Sequence, residues 1–231
     1  MTLSIDFGAA SAPSRRRFGL AALAALLALA AAGGPVLAQE LSPAAVGSPE
    51  GQGLVERLRR GGLVLFFRHA DTAGMPCDAS FRIGDRAGQR NISERGREQS
   101  RAIGEAFRRL AIPYQRPVLT GPVYRARDTA EEAFGAAEVA VVDGLTADDF
   151  AGPRLAWVLE EHRRLMAEPV PPGTNRILVG HRTPAVMLLG APVGGRALPE
   201  GAAIVMEPAN PPRVLGILMP APIAGGGFHG C

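Results

Sequence analysis

Residues 63–67, Leu-Val-Leu-Phe-Phe, run without a polar interruption and are followed at once by Arg68 and His69. A strand covered on one face alternates apolar and polar residues, whereas an unbroken apolar run of this length fits a strand of a parallel sheet with helices on both faces. In open α/β sheets, ligands gather just beyond the carboxyl ends of such strands. The chain therefore sets a permanent cation beside a titratable nucleophile at a ligand-binding edge, a pairing that suits an anionic phosphate group.

The rest of the chain repeats the alternation. Residues 54–60 predict a short helix leading into this strand, and residues 73–90 an irregular polar loop. Ser93 starts a helix with Ile103, Phe107 and Leu110 on one face, ended by Pro113. A strand at 117–120 turns through Gly121-Pro122 into a helix over 123–134 with Ala126, Ala130 and Phe134 on one stripe. A strand at 139–142, a helix over 154–167, a strand at 176–179 and a helix opening at 185 follow, then closing strands at 202–206 and 213–219. Strands alternating with helices define an α/β three-layer sandwich, with a mostly parallel central sheet and helices on both faces. Residues 39–53 read as a linker, 54–219 as one domain, and 220–231 as a flexible Pro/Gly-rich tail.

Residues 1–38 have the three parts of a twin-arginine signal peptide. Ser14-Arg15-Arg16-Arg17-Phe18 supplies the basic motif, residues 19–32 a short Ala/Leu run, and Val36-Leu37-Ala38 a cleavage site. The run is shorter than the ~20 apolar residues a membrane span needs. The expectation is engagement with the twin-arginine export machinery, cleavage after Ala38, no stable membrane span afterwards, and a periplasmic or secreted product. Loss of three Arg and Asp6 lowers the formal charge from +3 to +1, so the basic precursor is no argument for a nucleic-acid partner. All 25 basic residues are Arg. The two cysteines, Cys77 and Cys231, pair or stay free according to compartment and geometry. No Cys/His spacing marks a metal site.

Three predicted strands end in unusual chemistry. The first ends at Arg68-His69, the second at Thr120-Gly121 with Arg125 one helical turn later, and the third at Gly180-His181. If these strands are parallel, two histidines and two arginines meet at one edge. Guanidinium forks bind phosphate oxygens bidentately, which Lys does not match. One neutral imidazole can attack phosphorus in line if its other nitrogen donates to a fixed acceptor, and a second, protonated imidazole can neutralise the equatorial oxygens. The leaving alcohol needs a proton from a general acid. Arg127 reads as a solvated helix residue.

Four blocks carry a resemblance: Arg68-His69-Ala70 with Asn91-Ile92-Ser93-Glu94-Arg95-Gly96-Arg97-Glu98-Gln99; residues 118–130, Val-Leu-Thr-Gly-Pro-Val-Tyr-Arg-Ala-Arg-Asp-Thr-Ala; Ile177-Leu178-Val179-Gly180-His181; and Glu200-Gly201-Ala202-Ala203-Ile204-Val205. In this order they resemble the histidine phosphatase superfamily, with its phosphoglycerate-mutase-like fold, over residues 62–219. The resemblance implies that His69 is the nucleophile that becomes phosphohistidine, that Arg68, Arg125 and His181 hold the phosphoryl group, and that no metal or organic cofactor takes part. Ala70 stands where Gly is commoner, and Gly121 where Ser is typical. The general acid has several candidates: Asp148 and Asp149 in the 143–152 loop, and Asp71 beside the nucleophile. Thr72 and Arg90 are candidate additional phosphate contacts. The expected activity is metal-independent hydrolysis of a small phosphate monoester by an exported phosphatase. The alternative is a non-catalytic phospholigand- or envelope-binding protein that keeps the fold.

Overall fold

The computed structural model describes Ser4, residues 40–225 and residues 227–229. Apart from Ser4, the predicted signal segment lies outside the described residues, as does Cys231. Within the described residues no helix is long and apolar enough to cross a membrane.

Seven strands form one sheet in the order β1-β7-β6-β2-β5-β3-β4. They are β1 (Pro43–Ala45), β2 (Val64–Arg68), β3 (Val118–Thr120), β4 (Val139–Val141), β5 (Arg176–Gly180), β6 (Ala203–Glu207) and β7 (Arg213–Met219). β6 is antiparallel to both its neighbours, β2 and β7, and every other pairing is parallel. The helices are α1 (Pro49–Arg60), α2 (Glu94–Arg109), α3 (Tyr124–Phe134), the single turn α4 (Asp148–Ala151), α5 (Leu155–Ala167) and α6 (Arg182–Leu189).

The apolar run of β2 does what its lack of alternation predicts. Leu65 and Phe67 enter a core with Leu58 of α1, Ile103 and Phe107 of α2, and Ala126 and Ala130 of α3. Val64 and Phe66 enter a second core on the opposite face, with Met166 of α5 and Ala185 of α6. All four β2 side chains are at most 1% exposed, so the sheet is the middle layer of three.

Two expectations need correction at the ends. Residues 39–53 are not a linker: Pro43–Ala45 pairs with β7 as an edge strand. Helix α1 starts at Pro49, capped by the Ser48 side chain accepting from the Gly51 amide at 3.1 Å. Ser and Pro read as linker composition there, but they are also the residues that begin a helix. The tail read as loose is hydrogen-bonded: the Ala221 carbonyl accepts from Gln99 at 3.1 Å, and residues 227–229 reach the sheet edge that carries His69.

Candidate active site

The sheet register brings the predicted residues together. β2, β5 and β3 are consecutive neighbours and end level with one another, Arg68 opposite Gly180 and Thr120 opposite Val179. Backbone bonds continue past the strand ends, from the His69 amide to the Gly180 carbonyl at 3.0 Å and from the Gly121 amide to the Val179 carbonyl at 3.1 Å. His69 and His181 therefore lie side by side, with ring centroids 5.5 Å apart. Because β6 is antiparallel, its amino end reaches the same edge. The Arg68 amide donates to Ala202 at 3.0 Å and the Gly201 amide to the His69 carbonyl at 2.9 Å.

A cavity of about 330 Å³ opens at this edge. His69, Arg68, Arg125 and His181 line it, as do Arg90, Asp148 and Asp149. Among the described residues, five buried nitrogens of its lining have no protein partner: Nε of Arg68, Arg90, Arg125 and Arg182, and Nε2 of His181. Buried donors left unmade are costly, so four guanidinium N–H groups at one cavity describe a site built for an acceptor-rich ligand. A phosphoryl group, with several anionic oxygens and no need to donate, matches that set.

His69 is 3% exposed. Its Nδ1 lies 2.9 Å from the Ala70 carbonyl oxygen, which only accepts, so Nδ1 carries the proton and Nε2 keeps its lone pair. Burial, then the cations Arg68 and Arg125 and neighbouring His181, push the His69 pKa well below the ordinary imidazole value. Burial and then Arg125 do the same to His181. Against the expectation of a protonated second histidine, these surroundings favour neutral His181; a phosphate dianion beside it would oppose the cations. Burial lowers the Arg68 pKa to about 10, partly offset by Glu200, which leaves the guanidinium charged at neutral pH.

The Arg125 Nη1 is already engaged. It donates to both oxygens of Asp78 at 3.0 Å, and both side chains are 5% exposed. Asp78 belongs to the irregular 73–90 loop, and nothing in the sequence marked it. Arg90, a candidate phosphate contact, donates its amide to the same carboxylate at 2.6 Å and lines the cavity. Thr72 does not line it: its hydroxyl donates to Glu200 at 3.1 Å. Asp71 does not line it either. Its carboxylate accepts from the Ser93 hydroxyl at 2.5 Å and its carbonyl from the Ser93 amide at 2.9 Å, so it docks the start of α2 onto the end of β2.

Asp148 and Asp149 sit in the first turn of α4 and face the cavity. Burial, then the adjacent Asp149, raises the Asp148 pKa, while a hydrogen bond with Thr183 opposes the rise. The surroundings of Asp148 thus favour its protonated form. Glu200 was visible only as part of the last block. It is 1% exposed and accepts from Arg68 at 3.2 Å. His229 was not singled out; its Nδ1 is 2.8 Å from Glu200 and it lines the cavity. Asp71, Glu200 and His229 have potential ligand atoms within 4.8 Å of one another. A cation there would compete with donors those carboxylates already hold, from Ser93, Arg68 and Thr72. The fourth histidine, His162, is fully buried and packs 5.8 Å from the Phe66 ring. Arg127 pairs with Glu131 at 2.7 Å on the surface, as expected.

His69, Arg68, Arg125 and α4 all lie within residues 64–151, and that stretch matches the family model of the histidine phosphatase superfamily (branch 1). Solved structures similar to the chain include the protein histidine phosphatase SixA complexed with tungstate, 18% identical with a TM-score of 0.45, covering 68% of this chain and 97% of that one. A mutant phosphoserine phosphatase from Entamoeba histolytica with phosphoserine is 12% identical, TM-score 0.44, covering 67% and 95%. A mycobacterial glucosyl-3-phosphoglycerate phosphatase with inorganic phosphate is 19% identical, TM-score 0.42, covering 67% and 94%. No curated protein matches the chain.

Proposed function

We propose that the chain is a phosphatase that hydrolyses small phosphate monoesters through a phosphohistidine on His69, without a metal ion. The observation that carries this reading is the bond between His69 Nδ1 and the Ala70 carbonyl, made inside a cavity lined by five unpartnered nitrogens. In the first step His69 Nε2 forms a bond to phosphorus as the phosphorus–oxygen ester bond breaks. Asp148 gives its proton to the departing oxygen. The unpaired N–H groups of Arg68, Arg125, Arg90 and Arg182 bear the phosphoryl charge, and they are in place before the substrate arrives. In the second step water attacks phosphorus and its proton passes to the Asp148 carboxylate. The electron pair of the phosphorus–nitrogen bond returns to His69. The signal read in residues 1–38 supports export by the twin-arginine machinery and action in the periplasm or outside the cell.

Turnover of p-nitrophenyl phosphate in a chelator, comparing the protein with His69→Ala, tests the reading. The expected result is turnover that the substitution lowers by at least about a thousandfold, with a phosphoenzyme that is acid-labile and base-stable. Equal rates in the two proteins, or no turnover in either from acidic to neutral pH, would leave the phospholigand-binding alternative.

A further inference from the structure

Helix α4 is a single turn, and it divides its side chains between two cavities. Asp148 and Asp149 line the cavity that holds His69. Phe150 and Ala151 line a separate one of about 240 Å³, with Ile83 and Val158. The ring of Phe81 packs against that of Phe150, with centroids 5.5 Å apart. The apolar side chains of this region thus serve a different cavity. Among the described residues that line the His69 cavity, Pro76 alone lacks a polar side chain. An acid that protonates a leaving oxygen must stand next to the leaving group, so Asp148 marks the side of the cavity where that group lies. Asp149 follows it in the same turn, and Thr183 is hydrogen-bonded to Asp148; both line the cavity. The leaving group therefore meets carboxylates and a hydroxyl.

Charge decides what kind of polar group fits there. The guanidinium groups of Arg68, Arg90, Arg125 and Arg182 line the cavity. Arg68 is paired with Glu200, and Arg125 with Asp78. The charges of Arg90 and Arg182 remain, and a phosphate dianion carries as many. On that count bound phosphate leaves no positive charge for a second anionic group, and the next charge such a group meets is Asp149. A hydroxyl has no such conflict: its O–H donates to a carboxylate, and a charged acceptor makes that bond stronger than a neutral one. At about 330 Å³ the cavity is also near the lower limit for small-molecule sites.

We propose that the leaving group is a small neutral polyol or sugar, selected by Asp149, which accepts hydrogen bonds from its hydroxyls and repels leaving groups that carry a carboxylate or a second phosphate. The proposal rests on the phosphatase reading above and names the substrate class of the same site. The buried, unpartnered nitrogens of Arg125 and His181 hold the phosphoryl end, and Asp149 reads the other end. A site built around substrate hydroxyls rejects analogues that lack them, because its polar groups are then left unpaired. The products are a neutral polyol and inorganic phosphate: water adds its hydroxyl to phosphorus and, by way of Asp148, its proton to the leaving oxygen.

Phosphate monoesters that share a three-carbon skeleton test this: glycerol phosphate, with free hydroxyls; propyl phosphate, with none; and phosphoglycerate, with a carboxylate. Steady-state kinetics in a chelator compare the wild type with Asp149→Ala and Asp149→Asn. In the wild type kcat/KM should be higher for glycerol phosphate than for either of the others by about tenfold or more. Asp149→Ala should bring the ratio of glycerol to propyl phosphate close to one, mainly through KM, and should raise phosphoglycerate relative to propyl phosphate. Asp149→Asn keeps an acceptor and loses the charge, so it should retain part of the glycerol preference and no longer discriminate against phosphoglycerate. A wild type that does not prefer glycerol phosphate overturns the proposal, as do ratios that survive Asp149→Ala. Both results leave the phosphatase itself standing. Failure to turn over p-nitrophenyl phosphate, or turnover that His69→Ala leaves equal, is a different result and sinks the phosphatase reading beneath it.

Discussion

The carbonyl oxygen of Ala70 lies 2.9 Å from Nδ1 of His69, and the amide of Ala70 donates to the Thr129 hydroxyl at 2.9 Å. That hydroxyl donates onward to the Arg125 carbonyl at 2.7 Å. One peptide unit therefore sets the tautomer of His69, and one hydroxyl ties that unit to the helix that presents Arg125. His69 and Arg125 are positioned together, as the proposed phosphoryl transfer needs.

The two cavity histidines predict how stability depends on pH. Burial, reinforced by neighbouring cations, drives both well below their ordinary value. The unfolded chain takes up protons near pH 6.5 and the folded chain does not, so the unfolded state binds more protons as the pH falls. Stability should be full above about pH 6.5 and decline below it, by up to about 1.4 kcal/mol per pH unit for each histidine. Urea unfolding at a series of pH values measures the slope, and His181→Gln should make it shallower. A stability that rises on acidification through this window would contradict the burial argument.

Asp148 and Asp149 should separate by leaving group. An aryl phosphate leaves readily without a proton and an alkyl phosphate does not. Asp148→Asn is expected to slow alkyl phosphate turnover by about a hundredfold or more and aryl turnover far less. Asp149→Asn should affect the two alike and weakly. Equal losses on both substrates for Asp148→Asn would assign that residue a structural role.

Asp78 pairs with Arg125 at the cavity, where a phosphate dianion would compete for the same guanidinium. Asp78→Asn leaves a buried guanidinium without its counter-charge, which costs about 3–5 kcal/mol. Phosphate restores the missing charge. The variant should melt lower than the wild type in phosphate-free buffer and gain more from added phosphate than the wild type does. Thermal melts with and without inorganic phosphate read both effects; a smaller phosphate gain in the variant would show that Asp78 helps to hold the ligand.

Gly121 has no room for a side chain. A Cβ placed there would be 2.1 Å from the Leu145 carbonyl oxygen, a backbone atom. The 145 segment, which leads through Thr146 to Asp148, occupies the space that a side chain at 121 would need. Gly121→Ala should destabilise by about 2 kcal/mol or more and slow alkyl phosphate turnover by shifting α4. Chemical denaturation and the alkyl-to-aryl rate ratio check the two halves of the prediction.

Much of the frame was legible because it depends on local patterns. The unbroken run before Arg68 required burial on both faces, and Leu65 and Val64 do enter opposite cores. The α3 stripe of Ala126 and Ala130 is fully buried because a helix repeats its face every three to four residues. Residues 39–53 were misread because Ser-Pro composition serves both linkers and helix starts, and only the pairing of Pro43–Ala45 with β7 decides between them.

The sequence by itself determined that His69, Arg125 and His181 follow strands and would share one edge if those strands were parallel. Only the tertiary structure decided which other side chains that edge receives. Glu200 arrives because β6 runs antiparallel and enters the sheet where β2 leaves it. Asp78 and His229 arrive from segments with no period at all, one an irregular loop and the other the tail. Periodicity reports which face of an element is buried, a property of neighbours in the chain. Which charge meets which arginine is set by strand order and loop path, and these are fixed by contacts between residues far apart in sequence.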